Sequence, residues 1–141
     1  MGRVKSADEM VTVDLTDDER RMVRQGLLQW GGPAHCSEEM AVAMGFDGTY
    51  ELWTEGLRIG DDLEQGKSLS RWDWTRTLLA TEVVFVSWVM GAAWDWSIVT
   101  GLDDARTVQI LRELQLKLSR AGALMTIGTV SELHDLFDPS R

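Results

Sequence analysis

Apolar residues recur at helical spacing along most of the chain. In "LTDDERRMVRQGLLQWGG", Met22, Val23, Leu27 and Trp30 fall on one side of a helix. Thr16 is a good N-cap, Glu19 completes a capping box, and Asp17 and Asp18 suit the positive end of the helix dipole. Gly31-Gly32-Pro33 stops this element. A short helix follows over "EEMAVAM", capped by Ser37 and closed at Gly45. "TYELWTEGLRIGDDLEQG" predicts a third helix starting at Thr49 and ending near Gly66. Leu52, Trp53, Leu57, Ile59 and Leu63 lie on one side, and Gly56 and Gly60 weaken the middle by about 1 kcal/mol each.

After a loop at "GKSLS", Ser70 caps the longest element, "RWDWTRTLLATEVVFVSWVMGAAWDW", with Asp73 at the acidic position of a capping box. "LDDARTVQILRELQLKLSRAG" forms a further helix: Leu102, Ala105, Val108, Ile110, Leu111, Leu114 and Leu118 make its stripe. Lys117 and Arg120 sit in its last turn and Gly122 closes it. Residues 123–137 read either as extended chain or, over "SELHDLF" behind Ser131, as a last short helix. Strand alternation is confined to "MVTVDL". The expectation is an all-α, compact bundle of five to six helices around a buried central helix at about 71–96. Residues 1–13 form a flexible leader, 14–138 a single domain and 139–141 a tail. Met10 offers an alternative start.

The central element is apolar on every side from Leu78 to Ala93, the mark of a core helix or a membrane span. It falls short of the roughly 20 apolar residues a span needs and contains Glu82, so a buried helix is expected and no membrane. The triplet Trp-Asp-Trp occurs at 72–74 and again at 94–96. Within each copy the rings are about 200° apart, and on one continuous helix Trp72 and Trp94 would share an azimuth about 33 Å apart. That arrangement fits the two ends of a packed rod better than a cage around one ligand. Glu82 must be paired, hydrogen-bonded or protonated in such a helix, with Arg58, Arg76 or Arg112 as candidate partners.

The chain of 141 residues suffices for one self-supporting core. Seven Trp against one Tyr and three Phe supply a large core or a core plus an interface, and leave room for a homodimer. A formal charge of −9 opposes nucleic acid and anionic membranes and favours a basic partner. One cysteine, Cys36, and an N-terminus without a signal-peptide core point to the cytoplasm.

The chain carries few signatures of chemistry. Two histidines and one cysteine make none of the familiar zinc spacings, and there is no EF-hand, P-loop, G-x-G-x-x-G or G-x-S-x-G. His35 beside Cys36 reads as loop, since adjacent residues rarely share a nucleophile's geometry. No catalytic residue, metal or cofactor is assigned. "SEEMAVAMGFDGTYELW" has a faint helix-turn-helix shape, but its second helix carries Glu51 and Glu55 and no cation before Arg58.

The stretches "DWTRTLLATEVVF" and "WDWSIVTGLDDARTVQILRELQLKL" resemble a group of small uncharacterised helical proteins of actinobacteria and their phages. The resemblance spans about 15–120 and rests on the Asp-Trp, the LLATE run, the Thr-Gly-x-x-Asp turn and the LRxLQxKL helix. It implies a bacterial or phage cytoplasmic protein and lends no site residues.

The expected function is a non-enzymatic, acidic protein-binding module, such as an antagonist or immunity-like protein that meets a basic surface. Its face would comprise Glu51, Trp53, Glu55, Asp61, Asp62 and Glu64. A second reading is a small-molecule pocket near Glu82, Arg58, Arg76 and Trp88; a helix-turn-helix-like regulator and an acid-based enzyme are weaker alternatives.

Overall fold

The capping box read from Thr16 and Glu19 closes in the computed structural model. The Glu19 amide donates to Thr16 Oγ1 (3.1 Å) and the Thr16 amide to Glu19 Oε1 (2.8 Å). The structure describes residues 6–31, 36–92 and 96–125. The helices are α1 (Asp17–Leu28), α2 (Glu38–Ala43), α3 (Thr49–Glu64), α4 (Arg71–Val86), α5 (Trp96–Thr100) and α6 (Asp104–Arg120). A 3₁₀ turn, Gln29–Gly31, extends α1, so the all-α bundle holds.

α4 is the most extensively buried helix, and α1, α3 and α6 all pack against it, while α1 also touches α3, α5 and α6. Met22 and Val23 from α1, Ile59 and Leu63 from α3, Val84 from α4 and Ile110, Leu114 and Leu118 from α6 are all buried in one cluster. α1 meets α4 at Gly26, where a Cβ would lie 2.2 Å from Thr81 Oγ1 and 2.8 Å from Thr81 Cα. The helices therefore approach to backbone contact. Glu19 is buried and also contacts Lys117 of α6, whose ammonium donates to the Asp14 carbonyl at 3.0 Å. One residue thus caps α1 and ties it to the end of α6.

Two expectations about the ends of α4 change. The leader is engaged from Ala7 onward. Met10–Val11 (β1) pairs antiparallel with Leu69–Ser70 (β2), Met10 opposite Ser70 and Val11 opposite Leu69. The Arg71 and Trp72 amides donate to the Glu9 and Ala7 carbonyls, and the Trp74 indole donates to the Val11 carbonyl at 2.9 Å. The first-turn amides of α4, which have no partner inside the helix, thus hold the leader.

At its other end α4 stops at Val86, ten residues short of the expected 96. Ser87 takes an extended conformation, and its hydroxyl accepts from the Met90 amide. The chain then folds back, with the Ala92 amide donating to the Val84 carbonyl and the Gly91 amide to the Ser87 carbonyl. A Cβ at Gly91 would lie 2.3 Å from the Val84 carbonyl oxygen, so a glycine is what lets the turn close over the helix end. A β-branched run with a glycine behind it breaks sooner than its apolar content suggests.

The two Trp-Asp-Trp copies therefore do not share one rod. Trp74 packs at the start of α4. Trp96 opens α5, fully buried, with its indole on Thr107 Oγ1 (2.9 Å) and its ring 5.6 Å from Phe85. Trp94 and Asp95 lie outside the described residues, as do His35 and the possible helix at "SELHDLF".

Candidate functional site

α3 carries two outward faces of different character. It starts at Thr49, as the sequence suggested, but Thr49 is its first helical residue and not its cap. The N-cap is Gly48, and the Glu38 carboxylate of α2 reaches across to accept from both the Thr49 amide (3.2 Å) and the Thr49 hydroxyl. An anion at a helix N-terminus is favoured by the exposed amides and the dipole. A side chain at 48 would collide with that carboxylate, 2.5 Å from the Cβ position.

One face, at i, i+4, i+7 and i+11, presents Glu51, Glu55, Arg58 and Asp62 toward α4. Arg76 of α4 is buried there, its side chain 5 % exposed, and contacts Asp73 (2.9 Å), Glu51 (2.9 Å) and Glu55 (3.2 Å). Its guanidinium also lies over the Phe46 ring, 4.7 Å from the centroid. Arg58 contacts Glu55, Asp62 (3.2 Å) and Asp73 (2.8 Å). Partial burial opposes the charge on Arg58, but the hydrogen bonds and charges of Glu55 and Asp73 outweigh it and raise its pKa. Burial likewise works to raise Glu55, and Arg58 and Arg76 overcome this and hold its carboxyl below the ordinary range. Four carboxylates share two guanidinium groups, so the cluster keeps its negative charge while every member is paired.

The other face runs through Tyr50, Trp53 and Leu57, at i, i+3 and i+7, which are 80 %, 48 % and 41 % exposed. Leu28, at the end of α1, is also exposed. α1 and α3 run side by side in opposite directions: Arg24 pairs with Glu64 (2.8 Å), Leu27 faces Gly56, and Gly31 meets the Trp53 ring. The stripe therefore borders Leu28 and ends in the exposed carboxylates Asp61 and Glu64.

The structure thus divides the six residues expected on one face. Trp53, Asp61 and Glu64 stand on the exposed stripe, with Glu64 engaged by Arg24. Glu51, Glu55 and Asp62 belong to the network with α4. Asp73 and Phe46 complete that network and were not foreseen; the signal for Asp73 was its capping position, yet only its amide serves the cap, on Ser70 Oγ.

The second expected cluster does not assemble. Arg58 and Arg76 are committed to the network between α3 and α4, and Arg112 is exposed. Glu82 is half-buried and accepts from the Gln115 amide at 2.6 Å, a neutral partner in place of the expected cation. It borders an open groove of about 200 Å³ with Thr75, Leu78, Leu79, Leu124 and Met125, and one of about 290 Å³ with Val83, Val86 and Ser87. Trp88 lies on the turn beyond α4, outside both linings.

Burial, with the charge of Glu38 adding, pushes the Cys36 thiol up and away from the reactive thiolate. Among the described residues no three His, Cys, Asp or Glu side chains are placed to hold a metal, and no helix is long and apolar enough to cross a membrane. No family model, curated protein or solved structure matches the chain.

Proposed function

We propose that the protein acts by binding another protein through the α3 stripe, in the manner of a small acidic antagonist or immunity-like protein. The observation that carries this reading is the exposure of Tyr50, Trp53 and Leu57 on successive turns of one helix face. Aromatic anchors of this kind dominate binding energy when a partner covers them. Asp61 extends the stripe with negative charge, and the whole chain carries −9, so the fitting partner is basic around an apolar centre. A second copy of the chain fits less well, because it repeats the same acidic surface.

Affinity capture of a partner, repeated with Trp53→Ala and again at about 1 M salt, tests this. At that salt the Debye length is about 3 Å and exposed charges are screened. The reading expects one basic protein, lost with W53A and weakened by salt. A partner indifferent to both changes contradicts it.

A further inference from the structure

A cluster of cations interrupts this otherwise acidic surface. The first turns of α1 carry Arg20, Arg21 and Arg24, which with Gln25, Asp17 and Glu64 line a cleft of about 240 Å³. The neighbouring acids of α1 are directed elsewhere, Asp18 to Arg106 (3.1 Å) and Glu19 to Lys117. Three cations then face two carboxylates, and those two do not satisfy them. Arg20 meets Asp17 only at 3.8 Å, and Arg24 reaches Glu64 through one terminal nitrogen.

The Nε atoms of Arg20 and Arg24 are both buried and have no acceptor among the described residues. A buried donor without an acceptor costs free energy, but these two atoms have almost no accessible surface, so a ligand in the cleft meets the rest of each guanidinium. Gln25 adds a third donor: its carbonyl oxygen accepts from Gln29, which leaves its amide nitrogen to donate.

We propose that this cleft binds a phosphate-type oxyanion, held by the guanidinium groups of Arg20, Arg21 and Arg24 and by the Gln25 amide. The two carboxylates in the lining decide the ligand class. A monocarboxylate only repeats what Asp17 and Glu64 already offer. A phosphate brings close to two charges and three strong acceptor oxygens, and so competes with both for the guanidinium groups. The shared chemistry admits a free phosphate or a phosphorylated side chain. This site adjoins the α3 stripe at Glu64, and its test does not use Tyr50, Trp53 or Leu57, so it stands whether or not that stripe binds a protein.

The direct readout is the Nε–Hε resonances of Arg20 and Arg24 by NMR, titrated on the full chain with inorganic phosphate against chloride at equal ionic strength. A parallel arm uses a short phosphoserine peptide. The site predicts that both resonances move and saturate with phosphate or the phosphopeptide and stay in place with chloride. The tighter arm identifies the source. Arg20→Gln is expected to weaken binding by about tenfold, the loss of one charge-assisted hydrogen bond. Resonances that fail to saturate in either arm, or that follow chloride equally, overturn the proposal. So does a folded R20Q chain with unchanged affinity. If R20Q does not fold, the wild-type titration decides alone.

Discussion

The Trp53 ring lies against Gly31 so closely that a Cβ at position 31 would sit 1.9 Å from ring carbon Cζ3. One side of an exposed anchor residue is thereby fixed on the backbone at the end of α1, while the remainder faces solvent. Holding an aromatic in place before binding lowers the ordering cost of the complex.

Gly31→Ala forces that ring outward. Because the ring is half-exposed and can move, the stability change stays within about 1 kcal/mol. The Trp53 indole N–H resonance is expected to shift while the other indoles hold their positions. A large loss of stability with an unmoved Trp53 indole would show the contact to be part of the core.

Arg76→Ala leaves the half-buried Glu51 without its cation, and Glu55 and Asp73 with Arg58 alone. With Arg58 still in place and the glutamates partly exposed, the cost is about 3 kcal/mol, the low end for breaking a buried ion pair. Urea denaturation is expected to show a loss of that size. Lys at position 76 restores only part of it, since an ammonium cannot spread its donors over three carboxylates as a guanidinium does.

The network also sets a pH dependence. The Glu55 pKa is lowered in the folded chain, so its contribution is complete above the ordinary carboxylate value of 4.5 and is lost as pH falls below it through the folded value. The stability gap between wild type and Glu55→Gln is expected to be constant near neutrality and to narrow below pH 4.5. A gap that widens on acidification would reverse the sign of the assignment.

Gly26→Ala tests the crossing of α1 and α4. The added methyl meets the Thr81 side chain and also its Cα, so rotating the threonine does not relieve the clash. Overpacking of this kind costs about 1–3 kcal/mol. Thermal unfolding is expected several degrees lower, even though alanine is the better helix former.

Much of the fold was written locally. Thr16 and Glu19, Ser37, Ser70 and the Ile110, Leu111, Leu114 and Leu118 positions each name a helix start or a buried face through neighbours a few residues away. Ala105 and Val108 of the expected stripe, in contrast, are exposed, and Thr107 is buried in their place. The failures come from contacts distant in sequence. Nothing near Gly91 announces that it packs on the carbonyls of Val83 and Val84, and so the long apolar run looked like one helix. Nothing near Gly26 announces Thr81. The acidic residues of α3 read as one cluster because they are close in sequence. Their spacing separates Glu51, Glu55 and Asp62 from Trp53, Asp61 and Glu64, but only the position of Arg76 shows which set turns inward. Glu82 was a strong signal of a paired charge, and the chain met it with Gln115, a residue type the argument from charge overlooks.

The central claim is that the Tyr50–Trp53–Leu57 stripe is the surface a partner covers. A photo-crosslinking side chain placed at Leu57, compared with one at the exposed Leu116 on α6, tests it most directly. The account predicts an adduct with one basic protein from position 57, abolished by Trp53→Ala, and none from position 116. The same adduct from both positions, or one from 116 alone, would contradict it.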